Sequence, residues 1–334
     1  MTAPRATRLV VAASLPAFQR AVGRLALGGG LAGIERRAVL VPSRAAAAAL
    51  RHTLEGLALA GASRSADAAI LLPELLTRNE WYQRMHERAG LPEPRLGPLE
   101  REVLLGAAAR EAIAGGAVPP FTLRPGLIAE MLAFYDALGR HERSLDAFER
   151  LVAGELEDHA STDRGAERLL EQTRFLVAAF RAFERRSAAS GGLDERTLGR
   201  RLIDPDARPA FRHLVVTVGD RVVDSSGGLF GADFDLMMRL PGLDAIDIVT
   251  TRRLVVAGLH ERLDGVMPGM STEDAEDLPS APHLLAPAGD DAPLFFTSRD
   301  REEELRAIAR RIKEEARRAG PASALDRTAV VFAR

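Results

Sequence analysis

Residues 8–25 read RLVVAASLPAFQRAVGRL. Residues 8–13 are a short β-branched run that predicts a buried strand, and Ser14 is a helix-start residue. The helix after it spaces Phe18, Val22 and Leu25 on one face and stops at Gly28, Gly29 and Gly30. The same unit then recurs. Residues 38–41 (AVLV) predict a second strand, and Ser43 can cap an alanine-rich helix that carries Leu50, Leu54 and Leu57 at helical spacing. Residues 69–72 (AILL) predict a third strand, followed by a helix bearing Trp81 and Met85. Strand and helix alternating at this spacing predict an α/β fold with a parallel sheet and helical crossovers.

The pattern changes over 97–203, where apolar residues recur only at helical spacing: Leu99, Val103 and Leu104, then Leu127, Met131 and Tyr135, then Leu145, Phe148 and Leu151. The longest of these helices starts near Thr162, carries Phe175, Phe180 and Phe183, and ends at Gly191 and Gly192. Strands return at 211–218 (FRHLVVTV) and 245–250 (AIDIVT). The simplest reading is one five-stranded parallel sheet built from 1–96 and 204–264, with the helical segment 97–203 inserted between its third and fourth strands. Residues 265–293 read as an acidic linker: they hold Glu273, Asp274, Glu276, Asp277, Asp290 and Asp291, five prolines and no arginine or lysine. Beyond it, 294–297, 300–319 and 328–332 predict a strand, a helix and a strand.

Composition narrows the function classes. With 334 residues, 46% of them hydrophobic, the chain can fill more than one core. It has no cysteine, which excludes disulfides and thiolate metal sites. No stretch approaches the roughly 18 apolar residues of a membrane span, and no signal-peptide core is visible, so the expected location is cytoplasmic, with no membrane partner. The net charge of −2 means that any nucleic-acid contact must come from a local patch. Every basic residue but Lys313 is arginine.

Three segments together carry a resemblance. They are 37–54 (RAVLVPSRAAAAALRHTL), 180–202 (FRAFERRSAASGGLDERTLGRRL) and 299–334 (RDREEELRAIARRIKEEARRAGPASALDRTAVVFAR). In that order they resemble motif Ia, the segment before the Walker B strand, and the opening of the second motor domain of UvrD-type superfamily 1 helicases. The likeness is nearest to the helicase-like B subunit of the AddAB helicase–nuclease and related PD-(D/E)XK nuclease proteins. The resemblance implies a RecA-like sheet with an inserted helical subdomain, and the start of a second RecA-like domain at 294–334, truncated at Arg334 with a nuclease domain beyond it.

The departures from that pattern bear on the chemistry. A P-loop needs glycines that let backbone N–H groups cradle phosphates, a lysine for the outer phosphates and a Ser/Thr on Mg²⁺. After the first strand this chain reads Ala12-Ala13-Ser14-Leu15-Pro16-Ala17-Phe18, and its lone lysine is Lys313. The fourth strand ends Val216-Thr217-Val218-Gly219 where the family has Asp-Glu, with Asp220 only past the strand; the fifth ends Val249-Thr250-Thr251 where the family has Gly-Asp. Ser14, Thr217 and Asp220 therefore mark a degenerate nucleotide site, with no catalytic residue, no metal ligand set and no cofactor expected. Asp220 and Asp224 could form a displaced metal pair, but read more simply as loop residues, and Asp233 and Asp235 suit a helix start. Trp81 and Tyr82 could stack on bases, although their spacing with Met85 fits a core face. Ser43 and Arg44 occupy the motif Ia positions that would face a single-stranded DNA backbone.

The expected function is a non-catalytic, helicase-like scaffold in DNA repair and recombination, holding single-stranded DNA beside a helicase or nuclease partner subunit. The alternatives are a DNA-dependent ATPase completed by a partner chain, and a RecA-like interaction module with no DNA role.

Overall fold

A computed structural model describes residues 5–28, 33–59, 71–141, 143–204, 206–219, 228–279 and 301–319. Six strands form one sheet: β1 (Ala6–Ala12), β2 (Arg37–Leu40), β3 (Glu74–Leu76), β4 (His213–Thr217), β5 (Ala245–Thr251) and β6 (Ser271–Asp274). All pairings are parallel, in the order β3-β2-β4-β5-β1-β6. The helices that connect them are α1 (Leu15–Leu27), α2 (Arg44–Leu59), α3 (Arg78–Ala89), α4 (Pro98–Ala114), α5 (Pro125–Arg140), α6 (Leu145–Ala160), α7 (Arg164–Ala189), α8 (Glu195–Leu202), α9 (Gly231–Arg239), α10 (Arg252–Val256) and α11 (Leu259–Asp264). A further helix, α12 (Arg301–Ala319), falls where 300–319 predicts one.

The strands are continuous apolar runs because both faces of the sheet are covered. Leu9, Val11, Leu40, Leu214, Val216, Ile246 and Ile248 point to the face that packs on Trp81, Met85, Leu198, Phe234, Met237 and Leu263. Val10, Ala12, Val39, Val215 and Val249 point to the other, against Ala21, Val22, Leu25 and Leu54. Strand connections of this kind are right-handed, so those running toward β3 put α1 and α2 on one face. Those running toward β6 put α3, α8, α9 and α11 on the other. Helices α4 to α7 lie between β3 and β4 in the chain and share a separate cluster centred on Phe175, Phe180 and Phe183, with Leu105, Met131 and Tyr135 packed on it. Asp163 caps α7 through the Gly165 N–H at 2.7 Å, and the helix ends before Gly191, whose φ of 71° only glycine adopts freely.

Two differences from the sequence expectation have physical causes. The third strand is Glu74–Leu76, not 69–72. Residues 69 and 70 lie outside the described residues, and Leu71 and Leu72 pack against the α1/α2 layer without pairing. An apolar run there signals burial rather than pairing, whereas Glu74, which pairs with Ala38, holds Arg84 through Oε2 at 2.8 Å and also contacts Arg88. The sheet has six strands, not five, because residues 271–274 of the supposed linker pair with β1 from Arg8↔Ser271 to Val11↔Asp274. This edge strand, STED, is mostly exposed, so no apolar alternation marks it. The strands expected at 294–297 and 328–332 lie outside the described residues.

Candidate functional site

In open parallel sheets the carboxyl ends of the strands, where neighbouring connections leave toward opposite faces, form the ligand crevice. Here β2 and β4 are such neighbours: α2 follows β2 on one face, and the chain after β4 reaches α9 on the other. A cavity of about 220 Å³ lies at this point, lined by Leu40, Pro42, Thr217, Gly219, Phe230 and Arg78 among others.

Ser14 and Thr217, two of the residues expected at a degenerate nucleotide site, both lie at the carboxyl edge of the sheet. Ser14 follows β1 as the cap of α1, and β5 stands between β1 and β4, with Thr217 paired to Val249 of β5. The Thr217 hydroxyl donates to the Leu40 carbonyl at 2.7 Å, which ties β4 to β2. Asp220 and Asp224 lie outside the described residues. Thr250, on β5, is fully buried, its hydroxyl turned toward the Val218 carbonyl. Among the described residues no group of three or more His, Asp or Glu side chains could hold a metal ion.

The starts of α1 and α2 differ in what they offer an anion. A helix N-terminus leaves its first N–H groups without intrahelical partners. In α1 the Ser14 hydroxyl accepts from the Ala17 N–H at 3.3 Å, the Phe18 N–H reaches the Ser14 carbonyl at 2.8 Å, and Pro16 has no N–H. Only Leu15 is left to donate. In α2 the Ser43 hydroxyl accepts from the Ala46 N–H at 3.2 Å and Ala47 bonds the Ser43 carbonyl at 3.0 Å, so the N–H groups of both Arg44 and Ala45 remain. Ser43 is exposed, and the Arg44 side chain is 85% exposed, resting on Glu80 through a 3.0 Å bond from Nε to Oε1. Glu80 closes the capping box of α3 by accepting from the Thr77 N–H at 2.9 Å, and Thr77 and Arg44 together hold its carboxyl below the usual range against a burial effect in the other direction.

Beneath this edge lies a charged centre that the sequence reading did not single out. Arg78, 1% exposed, meets Asp233 through Nε and Nη2, each 2.8 Å from a carboxylate oxygen. It also reaches Glu195 through Nη1 at 2.9 Å and through Nη2. The Tyr82 hydroxyl donates to the same Asp233 oxygen at 2.8 Å, and the Arg78 guanidinium lies 4.8 Å from the Tyr82 ring centre and 5.4 Å from that of Phe230. Burial alone would raise the Glu195 carboxyl, but the Arg78 bonds and the charges of Arg140 and Arg101 hold it below its ordinary value. Burial, with the charges of Asp233 and Glu195, pushes the Tyr82 phenol well up. Asp233 also accepts from the Phe230 N–H at 2.8 Å, so its expected place at a helix start is correct but incomplete. Trp81 and Tyr82 are buried at 0% and 4% exposure, which makes both core residues and removes them from base stacking. A signal for Arg78 was present: Arg78, Trp81, Tyr82 and Met85 share one helical stripe, and an arginine on an apolar stripe needs a buried partner.

No family model matches the chain, and no curated protein matches it either. Among the described residues no helix is long and apolar enough to cross a membrane.

Proposed function

We propose that this chain is a non-catalytic, RecA-like scaffold of the helicase type that guides single-stranded DNA, through its phosphate backbone, beside a helicase or nuclease partner in double-strand-break processing. The observation that carries this reading is the contrast between α1 and α2. The turn that would cradle nucleotide phosphates keeps a single N–H, because Pro16 supplies none, while the turn at motif Ia keeps two N–H groups and an exposed arginine. The sheet order adds support: β4, β5 and β1 are consecutive, so the three strands to which the resemblance assigns nucleotide contacts end side by side. In RecA-like terms the second motor domain would begin at 294, and 97–203 would be the inserted helical subdomain.

Titration of a labelled oligodeoxythymidine by fluorescence anisotropy across a salt series tests the reading. Phosphate contacts release counterions, so affinity should fall steeply with salt, and Arg44→Glu should weaken binding and flatten the slope by roughly one. Wild-type binding in the Arg44→Glu variant, or binding indifferent to salt, would refute it. ATP turnover by the chain alone would refute the non-catalytic part.

A further inference from the structure

We infer that the cleft between the α5–α6 corner and the α8/α9 layer is a second anion site, built to take a phosphate-bearing ligand. It encloses about 500 Å³, within the ordinary range for small-ligand sites. Its wall carries six arginines, Arg101, Arg140, Arg143, Arg196, Arg200 and Arg239, in a protein whose net charge is −2. Four carboxylates face the same space, but all are engaged. Asp136 binds Arg101, with Oδ2 at 3.1 Å from Nη1. Glu195 is held from behind by Arg78, Asp194 caps α8 through the Thr197 N–H at 2.7 Å, and Asp235 pairs with Arg239 at 3.1 Å. Arg196 is taken by Glu184 at 3.2 Å.

Two guanidinium groups are left over. Arg143 and Arg200 are exposed at the cavity and have no carboxylate partner among the described residues. Arg140 is partly engaged, 3.7 Å from Glu195, 3.9 Å from Asp136 and 5.0 Å from the ring centre of Phe230. The Nε atoms of Arg101 and Arg140 are buried without any acceptor. Both atoms have almost no exposed surface, so a ligand in the cleft is met by the exposed guanidinium groups of Arg143 and Arg200. The planar guanidinium fork matches phosphate geometry, and several forks around one cavity favour a dianion or two adjacent phosphates over a single carboxylate. The shared chemistry is a phosphate group. Its source is either a free nucleotide-sized molecule or the backbone of a nucleic-acid strand.

The test uses the full chain with three probes in low salt: inorganic pyrophosphate, ADP, and a twelve-residue oligodeoxythymidine. The variants are Arg143→Glu, Arg200→Glu and their double, all at exposed positions, with circular dichroism melting to show that the fold is kept. Binding of at least one probe, weakened about tenfold or more by the double variant at an unchanged melting temperature, is the expected result. Saturable pyrophosphate or ADP binding that the double variant abolishes assigns a free ligand; loss of the oligonucleotide alone assigns a strand. The inference falls if no probe binds, or if the double variant binds like wild type. It is separable from the proposed function: loss in Arg44→Glu with binding kept in the double variant sustains the scaffold and sinks the cleft, and the reverse does the opposite.

Discussion

Arg78 and Asp233 stand 155 residues apart in the chain and meet through two hydrogen bonds of 2.8 Å each, with 1% and 0% of their side chains exposed. Through Glu195 the same guanidinium reaches a third segment, so one side chain ties together the first turns of α3, α8 and α9. These helices cover one face of the sheet and border the crevice at β2 and β4. The centre therefore holds α3, α8 and α9 in place around the crevice, whose wall includes Arg78 itself.

Arg78→Met should destabilise the protein by roughly 3–5 kcal/mol, because it leaves Asp233 charged, buried and without its fork. Arg78→Met combined with Asp233→Asn should recover a substantial part of that loss, since the amide carries no uncompensated charge. Chemical denaturation of the three proteins measures the coupling. Additive losses in the double variant would mean that the pair does not act as a unit.

Acid should weaken the fold through Glu195 and Asp247. Asp247 is 1% exposed; burial would raise its carboxyl, but bonds from His213 at 2.7 Å and from Arg8 at 2.7 Å hold it below the ordinary value. Both carboxyls have folded pKa values below their unfolded ones. Each thus contributes stability that is present above the unfolded value and is lost as pH falls through the folded one. Unfolding free energy should decline from about pH 4.5 downward, and Glu195→Gln should flatten that decline while lowering stability at pH 7. A profile with the same acid slope in Glu195→Gln would remove Glu195 from the account.

The parallel sheet and the helical segment were legible because their signals are local. Five strands show as apolar runs, although the third lies a few residues downstream of its run, and α7 shows as a long period of phenylalanines ended by glycines. β6 was hidden because an edge strand needs only backbone partners, and STED displays no burial pattern. The Arg78 centre was hidden for another reason. Its partners are 117 and 155 residues away, and no spacing rule connects them. Ser43 and Arg44 could be read as a helix start, but the number of N–H groups left at that turn depends on which ones the cap consumes, and this needs coordinates.

Gly242 and Gly90 form a controlled pair. Both have φ of 65°, in the left-handed region that disfavours a Cβ. A Cβ on Gly90 meets nothing within 4 Å, whereas one on Gly242 falls 2.5 Å from Cγ and 2.7 Å from Cβ of Pro209. The proline ring has no rotamer by which to withdraw. Gly90→Ala should cost about 1–2 kcal/mol from backbone strain alone, and Gly242→Ala should cost about 1–3 kcal/mol more from the clash. Equal losses in denaturant melts would show that the loop before β5 shifts without resistance.

Ser14 and Ser43 occupy equivalent positions, each an exposed serine capping the helix that follows a strand of one sheet. As caps they should behave alike, and Ser14→Ala and Ser43→Ala should each lower stability by about 1 kcal/mol. As contacts they should differ. The α1 turn has Pro16 in place of a donor and no basic side chain in its first turn, so an approaching phosphate gains a single N–H. The α2 turn adds the N–H groups of Arg44 and Ala45 to a guanidinium that is held only by an exposed bond to Glu80, a pairing worth little in water and easily exchanged for a phosphate. Ser43→Ala should therefore weaken oligodeoxythymidine binding several-fold through loss of the ordered turn and of its hydroxyl, while Ser14→Ala leaves binding within error. Anisotropy titrations of the two variants, run at a temperature where both remain folded, decide between them. Equal weakening by both would mean that DNA affinity follows general stability and not the α2 turn, and the assignment of Ser43 and Arg44 to the strand would fail.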